Sequence, residues 1–424
     1  MRNLLFFLLA GLSCCITLGQ SPQRILLLNG YLHVGNGTVV ESAFIGIENG
    51  VVKAVANSLS ATYRFEDWDT VIDVQGQHIY PAFVAPNSTL GLTEIDAIRA
   101  TRDFEEVGQY NPHIRSQIAY NVESNVISTV RTNGVLLTQA TPRGGVVSGT
   151  SSVMALAGWN WEDATILKDD GIHLNWPNSI QYSSETGQKK RQEHYEEQKR
   201  AIYSFFHLAK TYAKTNYSNQ KDLRLEAMQE CFDGKKRVYV HADELQQLLD
   251  IIDFVNEFEL AYPVIVGGYD SYLIAEKLKD EKIPVMLKRI HSLPQQDEES
   301  PDLIYRIPGL LQRAGVSFCL QNEGDMETMN ARNIPFLAGT AMTYGLTEEQ
   351  AIRSVSLSAC EILGIEKQFG SIEKGKSATL FVSKGNALDM RTNQVTLILL
   401  DGRIVSTDNF QSDLFKKYTK KYAR

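Results

Sequence analysis

Apolar residues gather in short strand-like runs at residues 25–28, 43–47, 51–55 and 71–74, with polar stretches between them. Asn49-Gly50 between two of them predicts a two-residue hairpin turn, because both central positions of that turn need positive φ. The same style returns near the far end at residues 378–382, 396–400 and 403–405, with Asp401-Gly402 turning between the last two. Strands at both ends of a long middle predict one small β-sandwich assembled from both termini.

The middle changes period. Residues 238–240 read as a strand, followed by a helix capped at Asp243 and running over 244–258; residues 264–266 precede a helix near 272–279; further strands fall at 284–287 and 316–320. Thr347-Glu-Glu-Gln350 is a capping box that opens a helix stopping at Gly364. Repeated β-then-α units imply a parallel sheet with right-handed crossovers, and this many favour a closed (β/α)8 TIM-like barrel in the α/β class. An open doubly wound sheet is the rival, but no Gly-x-Gly-x-x-Gly joins a strand to a helix. Residues 185–214, rich in Lys, Glu, Gln and Tyr, predict a long exposed helix inserted in the barrel. The expected division is 1–19, 20–80 for the first part of the sandwich, 81–368 for the barrel, 369–410 for the rest of the sandwich, and a polar tail at 411–424.

Residues 1–19 hold one basic residue, an apolar run short for a membrane span, and small residues before Gln20, which predicts a secretory signal cleaved near Gly19-Gln20 and a periplasmic protein in a two-membrane host. Cys14 and Cys15 leave a lipid anchor as an alternative, and an uncleaved span is another. The other cysteines, Cys231, Cys319 and Cys360, are far apart and form neither a disulfide framework nor a Cys-x-x-Cys zinc ribbon. The formal charge is −8, with both signs interspersed, which argues against a nucleic-acid partner; nothing beyond the leader marks a membrane surface.

Candidate chemistry concentrates at strand ends. Ile79-Tyr-Pro-Ala-Phe-Val-Ala-Pro-Asn-Ser-Thr-Leu-Gly91 resembles the entry into the barrel of the amidohydrolase superfamily, imidazolonepropionase-related branch, and Gly370-Ser-Ile-Glu-Lys-Gly-Lys-Ser-Ala-Thr379 resembles its closing motif, with Thr379 in place of Asp. The resemblance covers about residues 24–405. It implies a β-sandwich split around a barrel and metal-assisted hydrolysis of a non-peptide C–N bond, in cyclic amides or amidines. In the family a His-x-His pair on the first strand holds metal, since residues i and i+2 share a strand face. Asn87 and Thr89 stand there instead, and neutral amide or hydroxyl groups bind transition metals weakly. Carried over position by position, the resemblance places His241 as the fifth-strand ligand, Gly267 where a second histidine belongs, Glu323 at the proton-shuttling carboxylate of the last strand, and His173 at a fourth-strand position.

The expectation is a depleted metal site and a protein that binds a small ligand or supports an intact homologue or a second copy. An active hydrolase with a reduced His173/His241/Glu323 site holding one zinc, manganese or iron ion is the alternative. Each of the two confident donors also has a plain reading: His241 as a hydrogen-bonded strand-end histidine, Glu323 as a loop-supporting carboxylate. Residues 141–152 carry Arg143, Gly144, Gly145 and Ser148, and free amides there would cradle an anion with Arg143 as a bidentate partner. Such a run is as readily a plain turn. Glu94, Asp96, Arg99 and Arg102, after the first barrel strand, read either as pocket wall or as surface ion pairs. There is no Gly-x-Ser-x-Gly for serine-nucleophile chemistry.

Overall fold

The computed structural model describes residues 23–60, 62–182, 189–214 and 221–423. The predicted leader at 1–19 lies outside the described residues, and among those described no helix is long and apolar enough to cross a membrane.

Both ends of the chain build one sheet. Its strands run in the order Arg403–Val405, Val395–Leu400, Leu380–Ser383, His78–Pro81, Arg24–His33, Val39–Glu48 and Val51–Asn57, and Thr70–Asp73 also pairs with Arg24–His33. Hydrogen bonding thus joins all eight into a single branched sheet, and residues of both arms share one core. Ile25 and Leu27 enter its main apolar core, while Leu26 and Leu28 pack on the opposite face with Phe44 and Trp68. That is the period of two, buried on both sides. The two predicted turns sit where expected, with Asn49 and Gly50 at φ 51° and 78° and Asp401 and Gly402 at φ 50° and 71°.

The second sheet is the nearly closed barrel: β1 Phe83–Ser88, β2 Val135–Ala140, β3 Val147–Ala155, β4 Thr165–Asn175, β5 Arg237–Ala242, β6 Pro263–Gly267, β7 Val285–Leu287 and β8 Phe318–Leu320. Neighbours follow chain order. All pairs are parallel except those of β3, which runs antiparallel to β2 and β4. The cause is connection length. Only residues 141–146 link β2 to β3, whereas a parallel return takes a dozen or more. The stretch 147–152, expected as loop, is therefore strand, and its start lies at the barrel mouth because Val147 pairs with Leu174 near the end of β4.

Three predicted helices depart from expectation. The helix after β5 is Leu245–Phe258, and Glu244, not Asp243, caps it in a box with Gln247. Among the described residues of the charged segment, Lys189–Arg191 is a short strand and the helix spans Tyr195–Lys214, and it is not merely a solvated rod: Tyr195, Ile202, Phe206, Ala209 and Tyr212 are buried. Phe206 stacks edge-on against Phe254 and lies over Phe258, with ring centroids 4.8 and 5.4 Å apart. The capping box at Thr347 forms, but two helices, Glu348–Ser354 and Leu357–Leu363, precede Gly364 in place of one. The polar tail contains the exposed helix Phe410–Tyr422.

Candidate functional site

A cavity of about 510 Å³ opens at the C-terminal ends of the barrel strands, lined among others by Trp176, His241, Asp243, Gln247 and Glu323. Strand alternation turns His173 and His241 inward from adjacent strands, and Tyr239 pairs in register with His173. His173 Nδ1 lies 2.9 Å from His241 Nε2, and His173 Nε2 lies 2.9 Å from Ser151 Oγ. The His173 ring stacks on Tyr239 at 4.6 Å. Burial, then His241, then Arg143 depress the His173 pKa well below the usual imidazole value. His241 has an edge open to the cavity, yet burial followed by Arg143 pushes its pKa down to about 3.

Arg143 reaches the same centre from the β2–β3 connection. It donates to Asn87 Oδ1 and the Asn87 carbonyl, both at 2.8 Å, and to Glu327 at 2.9 Å. Asn87, at φ 48°, passes the contact on by donating to Glu323 at 2.7 Å. Thr89 is buried and bonds Thr328 at 2.8 Å and, through its amide, Glu327 at 3.1 Å. Burial first, and Asp243 next, raise the Glu323 pKa against the pull of Arg143 and Lys288.

Gly267 ends β6 at φ 101°, and a Cβ there would fall 2.7 Å from Asp243 Oδ1. The missing side chain makes room for Asp243, which pairs with Lys288. Four amides of the Arg143 loop are already committed within the protein. The N–H groups of Thr141, Arg143, Val146 and Val147 are donated to the carbonyls of Ser88, Phe104 and Gln109. Gly144 and Gly145 face Glu105 and the Gly108 carbonyl, and Asn175 fastens Gly145 O and Ser148 Oγ at 2.8 and 2.9 Å. Arg143 itself is committed to protein partners. Of the charges after β1, Glu94 bonds Asn121 at 3.1 Å, outside the cavity lining.

Residues 137–407 match the model of the amidohydrolase family. The chain belongs to that family. An imidazolonepropionase of Flavobacterium psychrophilum is 27% identical over 99 residues, 22% of this chain and 24% of that protein. The amidohydrolase tasK of Hapsidospora irregularis is 22% identical over 191 residues, 43% of this chain and 18% of that protein. The chain thus aligns with about a quarter or less of either relative's length. An amidohydrolase from Thermotoga maritima MSB8 shares the fold, with TM-score 0.78 and 24% identity over 90% of this chain and 99% of its own. Ochratoxinase of A. niger superposes at TM-score 0.55 and 14% identity, covering 91% of this chain and 96% of its own.

The family resemblance implies a divalent metal at this place. Among the described residues no group of three or more His, Cys, Asp or Glu side chains is placed to hold an ion. His173 and His241 point nitrogens at each other within hydrogen-bond reach, Glu323 bonds Asn87, and the Arg143 cation acts on all three. Of the sequence-derived candidates in this amidohydrolase-family chain, His241 and Glu323 line the cavity, His173 and Asn87 bond to them, Arg143 bonds Asn87, Gly267 stands against Asp243, Thr89 is turned to Thr328 and Glu327, and Gly144, Gly145 and Ser148 lie outside the lining. Sequence reasoning missed Asp170, which is buried and accepts from Gln139, Ser151 and Tyr239 at 2.8, 2.8 and 2.6 Å. A buried-looking strand carrying Asp-Asp-Gly at 169–171 was the available signal, since an unpaired carboxylate is rarely left inside a barrel.

Proposed function

We propose that this amidohydrolase-family protein binds a small polar ligand in the barrel mouth without a catalytic metal. The supporting observation is the Arg143 guanidinium, tied to Asn87 and Glu327 at the position where the resemblance places a first-strand metal ligand. A fixed cation there opposes a divalent ion by repulsion, and its charge is matched by Glu327. A small molecule is favoured over a protein partner because the polar groups converge inside a cavity rather than on a flat face. Export, and a periplasmic setting, rest on the sequence of residues 1–19 alone.

A metal-free hydrolase is the second reading, and the raised pKa of Glu323 in the cavity wall favours it, as a carboxylate poised to take or give a proton. A hydrolase with the reduced His173/His241/Glu323 metal site has less support, since Glu323 is bonded to Asn87. Metal content by mass spectrometry, after zinc, manganese or iron supplementation and desalting, is expected to stay far below one ion per chain. About one retained ion, lost in His241→Ala, would overturn the proposal. Turnover of a cyclic amide or amidine that vanishes in Glu323→Gln without metal would establish the second reading.

A further inference from the structure

Asp170 anchors a chain of hydrogen bonds whose direction can be read from a donor that has no ambiguity. The Asn87 backbone N–H donates to Gln139 Oε1 at 3.0 Å, so the Gln139 NH2 turns inward. There it donates to Asp170 Oδ2 at 2.8 Å and Ser151 Oγ at 3.2 Å. Tyr239 donates to the same Oδ2 at 2.6 Å, which leaves Oδ1 for Ser151 at 2.8 Å, nearer than the Gly171 carbonyl at 3.2 Å. Ser151 has one hydroxyl proton. Having given it to Asp170, Ser151 can only accept from His173, so the proton of His173 is on Nε2. The lone pair at His173 Nδ1 then accepts from His241 Nε2–H at 2.9 Å. His241 is left with a lone pair at Nδ1, and its ring lines the cavity. Burial keeps both rings neutral, as this requires.

We infer that Asp170, acting through Ser151 and His173, fixes His241 as the Nε2–H tautomer, so that the cavity offers an acceptor at Nδ1 and selects a ligand bearing an N–H donor. Asp243, Glu244 and Glu323 line the same space; Lys288 pairs with Asp243 and Arg143 acts on Glu323, so the lining has room for one diffuse positive charge rather than the two of a divalent ion, which makes a cationic donor such as an amidinium the fitting chemical class. Asp170 is a positioning residue in this scheme. The inference rests on the metal-free reading of the site. The opposite polarity has a defined cause: a proton on Asp170 Oδ1 would make Ser151 its acceptor and free the Ser151 proton for His173 Nε2, turning round the Ser151, His173 and His241 bonds while Gln139 and Tyr239 still donate to Oδ2, and burial does raise the Asp170 pKa against its three hydrogen bonds.

Histidine tautomers separate the two directions. Full-length protein labelled with 15N-histidine would be examined by long-range 1H–15N correlation at neutral pH, with His173→Gln and His241→Gln assigning the signals. Both rings are expected as Nε2–H tautomers. An Nδ1–H His241 in the metal-free protein overturns the inference and leaves the metal-free reading intact, whereas metal-shifted resonances with one ion per chain overturn that reading. Asp170→Asn, whose amide can donate to Ser151, is expected to flip His241 to Nδ1–H; an unchanged tautomer in that folded variant removes Asp170 as the anchor. Should the variant not fold, Ser151→Ala serves, with mixed His241 tautomers expected and a retained single one counting against the chain. Acetamidinium and acetate are the ligand probes. The His241 Nδ1 resonance is expected to move with acetamidinium; no movement, or movement with acetate instead, overturns the ligand class.

Discussion

His173 and His241 are neutral because the protein surrounds them, and that has a consequence for acid stability. A histidine whose folded pKa is depressed takes up its proton more readily when unfolded, so the unfolded state gains as pH falls through about 6.5. For His241 the window runs from the ordinary imidazole value of 6.5 down to about 3. Each such ring costs up to about 1.4 kcal/mol per pH unit inside its window. Asp170 and Glu323 work the other way: their folded pKa values are raised, so protonation favours the fold, and that offset grows as pH falls from those raised values to the ordinary carboxylate value. Urea unfolding free energy is therefore expected to fall by about 1–2 kcal/mol between roughly pH 7 and 5.5, with a shallower slope in His241→Asn. A flat profile would mean the rings are hydrated. His173, His241 and Glu323 were legible in the sequence as chemistry-bearing residues at strand ends. The use made of Arg143 was not, because its partners Asn87 and Glu327 are 56 and 184 residues away.

Elements defined by local chemistry were the legible ones. Asn-Gly and Asp-Gly turns state their own φ requirements, and so does the Thr347 capping box. Strand β3 was missed because its direction depends on the length of a connection, and the buried face of Tyr195–Lys214 because its aromatics are diluted by charge. The turns also permit a graded test. Gly402 and Gly76 have similar dihedrals, φ 71° and 78°, but a Cβ on Gly402 would lie 2.5 Å from Gly50 Cα, while one on Gly76 meets nothing within 4 Å. Gly76→Ala should cost about 1–2 kcal/mol, the left-handed backbone penalty alone. Gly402→Ala adds a backbone clash between two hairpin turns and should cost clearly more, about 3 kcal/mol. Equal losses in chemical denaturation would show that the two turns can separate freely.

At the scale of the whole molecule, sheet and barrel share one piece of chain, and this argues that they unfold together. The strand His78–Pro81 pairs with Leu380–Ser383 and is followed after one residue by β1. Phe381 lies at that junction, fully buried, with ring centroids 5.3 Å from Tyr80 and 5.0 Å from Phe83. Gly134, just before β2, has no room for a Cβ because the Phe381 ring would be 2.3 Å away. One side chain from the far end of the sequence therefore packs at once on the sheet, on β1 and on the approach to β2. Truncating it to alanine should cost about 3–5 kcal/mol, the usual loss for a buried aromatic. The junction also fixes the form of that loss. If the two parts are one cooperative unit, calorimetry of Phe381→Ala shows a single transition displaced to lower temperature, and denaturation reported by Trp68, packed on the sheet, coincides with that reported by Trp176 at the cavity. Two resolved transitions, with only one displaced by the substitution, would instead make the sheet a separately folding attachment, and the cavity would then owe its stability to the barrel alone.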